Sequence, residues 1–101
     1  MALEQLRHEA ATGNIRLTQH ANREMVEEEI TLNEVLEAIV SGQVLENYPE
    51  HRRGACCLVN GTTEEGRPLH IVCTTALPVL IIITAYEPKT PGWLTPMERN
   101  R

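Results

Sequence analysis

The feature that most constrains this chain is a change of period at Gly42. Before it, Thr31-Leu32-Asn33-Glu34 reads as a capping box, with Thr31 as N-cap and Glu34 at N3. Ile30 and Val35 stand where a hydrophobic staple needs them. Leu32, Val35, Leu36, Ile39 and Val40 then form one apolar helical stripe, which Gly42 ends. After Gly42 the apolar residues group as strands: Val44–Tyr48, Ala55–Asn60, Leu69–Thr75 and Val79–Tyr86. Turn signals separate them at Pro49 to Gly54, Gly61 to Gly66 and Ala76-Leu77-Pro78. Connections this short predict antiparallel pairing. Helices followed by a meander of about four strands predict an α+β domain, its N-terminal helices packed on the sheet.

Upstream, Leu3, Leu6 and Ala10 recur at helical spacing and Gly13 is a stop, which predicts a first helix over residues 2–12. Ile15-Arg16-Leu17 predicts a short edge strand, and Thr18 can cap a second helix running to about Glu28. Val79-Leu80-Ile81-Ile82-Ile83 is apolar on both parities, as a central strand covered on both faces must be. At 101 residues the chain is one domain. With Trp93, Tyr48 and Tyr86 as its only aromatics, its core must be aliphatic.

The formal charge of −5 argues against a general nucleic-acid binder. Its distribution is uneven, however. Residues 1–50 carry ten Glu against three Arg, and residues 51–101 carry four Glu against six Arg or Lys. A local basic surface in the second half is compatible with the acidic total. Three cysteines, Cys56, Cys57 and Cys73, and an N-terminus without an apolar signal region predict a reducing, cytoplasmic setting. The run from Ala76 to Ile83 is too short to span a membrane. Cys56 and Cys57 point to opposite faces of a strand and no CxxC occurs, so buried thiols are expected rather than a metal site. No cofactor fingerprint, phosphate loop or serine elbow is present.

One ordered set of motifs resembles a known family. It comprises His20-Ala21-x-Arg23-x-Met25, Gly42-Gln43-Val44, Tyr48-Pro49 and Leu58-Val59-x-Gly61. Then come Gly66-Arg67-Pro68-Leu69-His70-Ile71-Val72, Thr84-Ala85-Tyr86-Glu87-Pro88 and Trp93. The pattern is similar, over nearly the whole chain, to the bacterial family catalogued as domain of unknown function 4258. The resemblance implies a RelE/ParE-like fold, two helices on a curved antiparallel sheet. It also implies kinship with the toxin components of toxin–antitoxin pairs, some of which cut RNA. A cognate antitoxin of zinc-finger type is the partner it implies. The family has no settled activity, and fold kinship alone does not assign one.

Five residues could carry chemistry. Metal-free RNA cleavage needs a base for the 2′-hydroxyl, an acid for the leaving oxygen and a cation for the phosphorane. His70 could serve as base or acid. Arg67 could hold the phosphate, provided it lies in the turn or on an edge, since 67 and 70 have opposite strand parity. His20 and Arg23 share a helix face as i and i+3 and could form a second half-site. Tyr86 could bind phosphate or orient His70. A three-residue turn after Thr75 places Tyr86 on the face of His70, and a two-residue turn reverses that. Each has a plainer alternative: a strand histidine satisfied by a backbone carbonyl, a helix-end His20, Arg23 paired with Glu27, and a Tyr at the core edge. His51-Arg52-Arg53 reads as a solvated loop, Glu27-Glu28-Glu29 as a solvated helix end, and Arg99 and Arg101 as a frayed terminus. Two functions remain open. One is a toxin-type, metal-independent endoribonuclease using His70, Arg67, His20, Arg23 and Tyr86. The other is a non-catalytic protein-binding module that uses the same polar surface and a sheet edge.

Overall fold

The computed structural model describes His8 and residues 15–52, 54–74, 79–89 and 92–99. The first helix expected over residues 2–12 therefore lies outside the described residues, His8 excepted, as do Arg53, Arg101 and the turn at residues 76–78. Among residues 15–99 the elements begin with strand β1 (Ile15–Leu17), then helices α1 (Gln19–Glu27) and α2 (Leu32–Ser41). Strands β2 (Gln43–Tyr48), β3 (Cys56–Thr62), β4 (Pro68–Thr74) and β5 (Leu80–Tyr86) follow. A small hairpin of β6 (Trp93–Thr95) and β7 (Glu98–Arg99) comes last.

The α+β class holds, with two corrections. The main sheet has five strands rather than four, in the order β1-β5-β4-β3-β2. It is mixed rather than antiparallel, because β1 pairs parallel with β5, Leu17 opposite Ile82. The long connection between them, through both helices and β2 to β4, is what permits parallel pairing. β1 ends after Leu17, and α1 takes over the edge of β5 that it leaves open. The Thr18 amide donates to Ile82 O at 3.1 Å and the Thr18 hydroxyl to Ile83 O at 2.9 Å. Glu24 accepts from the Ala85 amide at 2.9 Å and from the Thr84 hydroxyl. Glu28 accepts from the Glu87 amide at 3.0 Å. Helix side chains thus satisfy edge amides that a longer β1 would have paired, and Glu28 is no solvated end.

Both helix starts follow their local sequence. The Thr18 hydroxyl accepts from the Ala21 amide at 3.0 Å. In the capping box Thr31 Oγ1 accepts from the Glu34 amide at 3.1 Å, and Glu34 Oε1 from the Thr31 amide at 2.9 Å. The expected stripe on α2 splits in two. Val35, Ala38 and Ile39 face the sheet and are fully buried. Leu32, Leu36 and Val40, spaced by four, drift to the flank, leaving Leu32 43% and Val40 55% exposed while Leu36 still leans on the core.

The core lies between the helices and one sheet face: Ala21, Met25, Val35, Ala38 and Ile39 against Val59, Leu69, Ile71, Cys73, Leu80 and Ile82. Cys57 and Cys73 stand directly opposite on this face, and all three cysteines are free and buried. β5 is interior in strand order, but only its helix-facing residues are fully covered, with Ile81 and Ile83 half-buried. The strands buried on both faces are β3 and β4. The reason is the β6–β7 hairpin, which folds on the face away from the helices.

The distance between layers is set at Gly61. A Cβ there would stand 1.8 Å from the carbonyl oxygen of Ala38 and 2.6 Å from its carbon, so α2 lies on bare β3 backbone. Gly61→Ala forces the helix to lift, which is overpacking against rigid main chain. We expect a loss of about 2–3 kcal/mol, read as a fall of about 10–20 °C in melting temperature for a chain of this size. Gly66→Asn, at an open turn position with φ of +88° and no atom within 4 Å, changes stability far less.

Candidate functional site

β4 alternates between the two layers. Leu69 and Ile71 enter the helix-side core, so His70 points to the other face. There it stands directly opposite Tyr86. A bulge at Ile83 fixes that register, since Val72 pairs with Thr84 but Cys73 with Ile82. His70 has no exposed surface. Its Nε2 lies 2.6 Å from Pro96 O in the β6–β7 turn and its Nδ1 3.1 Å from the Tyr86 hydroxyl. A carbonyl can only accept, so the proton sits on Nε2 and Tyr86 donates to Nδ1. Trp93 meets the ring edge-on at 4.3 Å between centroids, and Tyr86 does so at 5.3 Å. Burial holds the His70 pKa below the ordinary imidazole value and Arg99 adds to that, while the Pro96 carbonyl and Glu46 pull the other way. Burial also raises the Tyr86 phenol. Both imidazole nitrogens are engaged inside the protein, leaving none for a ligand.

Sequence reasoning missed the rim of this cluster. Glu46 and Tyr48, two apart on β2, share a face, and Arg99 from β7 reaches them across 53 residues. Arg99 Nε donates to Glu46 Oε2 at 2.8 Å and its Nη2 to Oε1 at 2.7 Å, a bidentate pair. The Arg99 guanidinium also lies 4.5 Å over the Trp93 ring. The Tyr48 hydroxyl donates to Glu46. The Arg99 bonds hold Glu46 down to about 2. Burial and Glu46 push Tyr48 up to about 12. Arg99 is therefore not a frayed end: it clamps the hairpin to β2. The i, i+2 spacing of Glu46 and Tyr48 is the local signal that could have flagged them; nothing in the sequence pointed to their cation.

Arg67 sits in the β3–β4 turn, one of the two places from which it could have joined His70, but it faces the helix layer. Its Nη2 donates to Glu28 O at 2.6 Å, Nη1 to Glu29 O at 3.0 Å and Nε to Glu87 Oε1 at 2.8 Å, with Glu34 Oε2 3.5 Å from Nη1. These contacts hold the end of α1. There Ile30 donates to Met25 O and Glu29 to Val26 O, a Schellman arrangement that places Glu29 in the left-handed region at φ 55°. A residue with a Cβ is strained there, and Arg67 braces it.

His20 and Arg23 are exposed on α1. His20 Nε2 lies 3.6 Å from Glu24. Since α1 covers the face opposite the hairpin, the five candidate residues do not form one cleft. His70 and Tyr86 touch on one side of the sheet, Arg67 serves the helix layer, and His20 and Arg23 lie on that layer's surface. Among the described residues no group of three or more His, Cys, Asp or Glu side chains is placed to hold a metal, and no helix is long and apolar enough to cross a membrane.

A two-layer α+β domain whose sheet carries a buried His–Tyr–Trp cluster under a terminal hairpin defines the class of protein. The chain belongs to the family described as Domain of unknown function (DUF4258), which it matches over residues 17–87, more than two thirds of its length. The matched segment includes α1, α2, Arg67, His70 and Tyr86 and stops before the β6–β7 hairpin. No curated protein and no solved structure matches the chain.

The environment of His70 makes a pH prediction. The folded state disfavours the imidazolium, so below about pH 6.5 the unfolded chain binds a proton that the folded chain does not. Stability is therefore complete above the unfolded value and falls as pH drops from there toward the lower folded value. The slope is at most about 1.4 kcal/mol per pH unit for one proton. The Glu46 pair is lost in a lower window, from 4.5 toward about 2. Urea melts between pH 7 and 5 should show the decline, and His70→Gln should remove its steepest part.

Proposed function

We propose that this chain is a non-catalytic protein-binding module, and that any RelE/ParE-like kinship lies in scaffold and partnership rather than in a His/Arg nuclease centre. The observation that carries this reading is the state of His70: no exposed surface, one ring nitrogen on Pro96 O and the other on the Tyr86 hydroxyl. A general base must reach the proton it takes. Arg67 is likewise committed to two main-chain carbonyls and two carboxylates. What the molecule offers outward is an edge strand, β2, paired on one side only among the described residues, and an acidic helix layer. A cognate antitoxin-type protein in the cytoplasm is the partner that the resemblance suggests for such a surface.

The test is a cleavage assay with purified protein on total RNA and on ribosomes. We expect no scission above that of folded His70→Gln and His20→Ala variants. Scission by the parent chain that disappears in either folded variant would restore the ribonuclease reading.

A further inference from the structure

The drift of Leu36 and Val40 off the core leaves a groove between α2 and the β3–β4 turn. It has a volume of about 620 Å³, and Leu36, Val40, Ser41 and Thr62 are among the residues lining it. It continues past Asn33 into a smaller recess of about 390 Å³ beside Thr31, Glu34 and Glu65. Its walls are braced. The Ser41 hydroxyl donates to Thr62 O at 2.8 Å and accepts from the Thr62 amide at 3.0 Å. Glu37 Oε1 accepts from the Glu64 amide at 3.0 Å. The helix and the turn that form the groove are thus fixed to each other before anything binds, which lowers the ordering cost of binding.

Two properties of the groove select its occupant. Val40, an apolar side chain left 55% exposed, stands in its wall beside the half-buried Leu36. Glu37 and Glu64 line the groove with them, and Glu34 and Glu65 line the adjoining recess, Glu34 being the one met by Arg67. We propose that this groove docks a basic amphipathic helix of a partner protein, its apolar stripe on Leu36 and Val40 and its Lys or Arg residues on the acidic rim. The row of every fourth residue on α2 is the ridge into which such a helix packs. RNA is excluded by the sign of the rim. A second copy of this chain docking face to face would set the four carboxylates against their own twins. The proposal names the partner surface for the binding-module reading and rests on it.

The test uses the full chain and two synthetic amphipathic helices with the same leucine stripe, one flanked by lysines and one by glutamates. Fluorescence anisotropy should show the lysine peptide binding at least about tenfold more tightly, with the advantage shrinking as salt rises. Amide shifts should concentrate at Leu36, Val40, Thr62 and Glu64. Val40→Asp and Glu64→Lys, both at exposed positions and so expected to fold, should each weaken the lysine peptide by about tenfold. Equal binding of the two peptides, shifts confined to β2, no binding, or dimerisation of the free chain through α2 would each overturn the proposal. If the groove fails while RNA stays intact, the module reading survives with β2 as its surface. If RNA is cut while the lysine peptide still docks, the groove stands and the non-catalytic reading falls.

Discussion

The Arg67 guanidinium holds together parts that the chain supplies from four places. It closes the carbonyls of Glu28 and Glu29 at the end of α1, meets Glu34 in the first turn of α2 and pairs with Glu87 just beyond β5. The side chain is a quarter exposed, so its charge is screened rather than stranded. Its importance lies in geometry: the left-handed Glu29 and the tight entry into α2 need a rigid, multiply donating partner, which a lysine ammonium is not. The carboxylates beside it raise the pKa of Arg67 further, so it stays charged throughout.

At the other face the same logic recurs with different chemistry. β4 sends Leu69 and Ile71 into the aliphatic core and His70 into an aromatic pocket that exists because the hairpin folds back over it. Trp93 and Pro96 seal that pocket and Arg99 locks its rim to β2. One strand thereby joins an aliphatic layer to a polar one, and both are satisfied from within. Asn60 marks the edge of that satisfaction: its amide nitrogen reaches Met97 Sδ at 2.9 Å, and its buried Oδ1 meets no donor among the described residues.

What the sequence revealed was what a few neighbouring residues decide. The capping box at Thr31–Glu34, the Thr18 cap and the strand positions between turn signals depend on contacts within about four residues, and they hold in the structure. Parity set only a condition for Arg67 to act with His70, that it lie in the turn or on an edge; its four partners on the helix side came from elsewhere in the chain. The misreadings share a cause, which is distance along the chain. Whether His70 and Tyr86 share a face turned on one bulged residue, Ile83, that no pattern marks. Parallel pairing of β1 with β5 spans 65 residues, and a three-residue strand carries no sign of its direction. Arg99 looked frayed because its partner is 53 residues away. The stripe on α2 was one row in sequence, and only the bare glycine at 61 decided which part of it would be pressed to the sheet.

The central claim is that His70 is an internal, neutral, Nε2-protonated strut rather than a reactive base. Its most direct test is the nitrogen-15 spectrum of the imidazole across pH 5–8 in the intact chain. A neutral imidazole protonated on Nε2 is expected at pH 7–8, with any protonation displaced below the ordinary value of 6.5 and with no response to added phosphate or nucleotide. A titration centred near pH 6.5, or a shift on adding either anion, would show an accessible imidazole and contradict it.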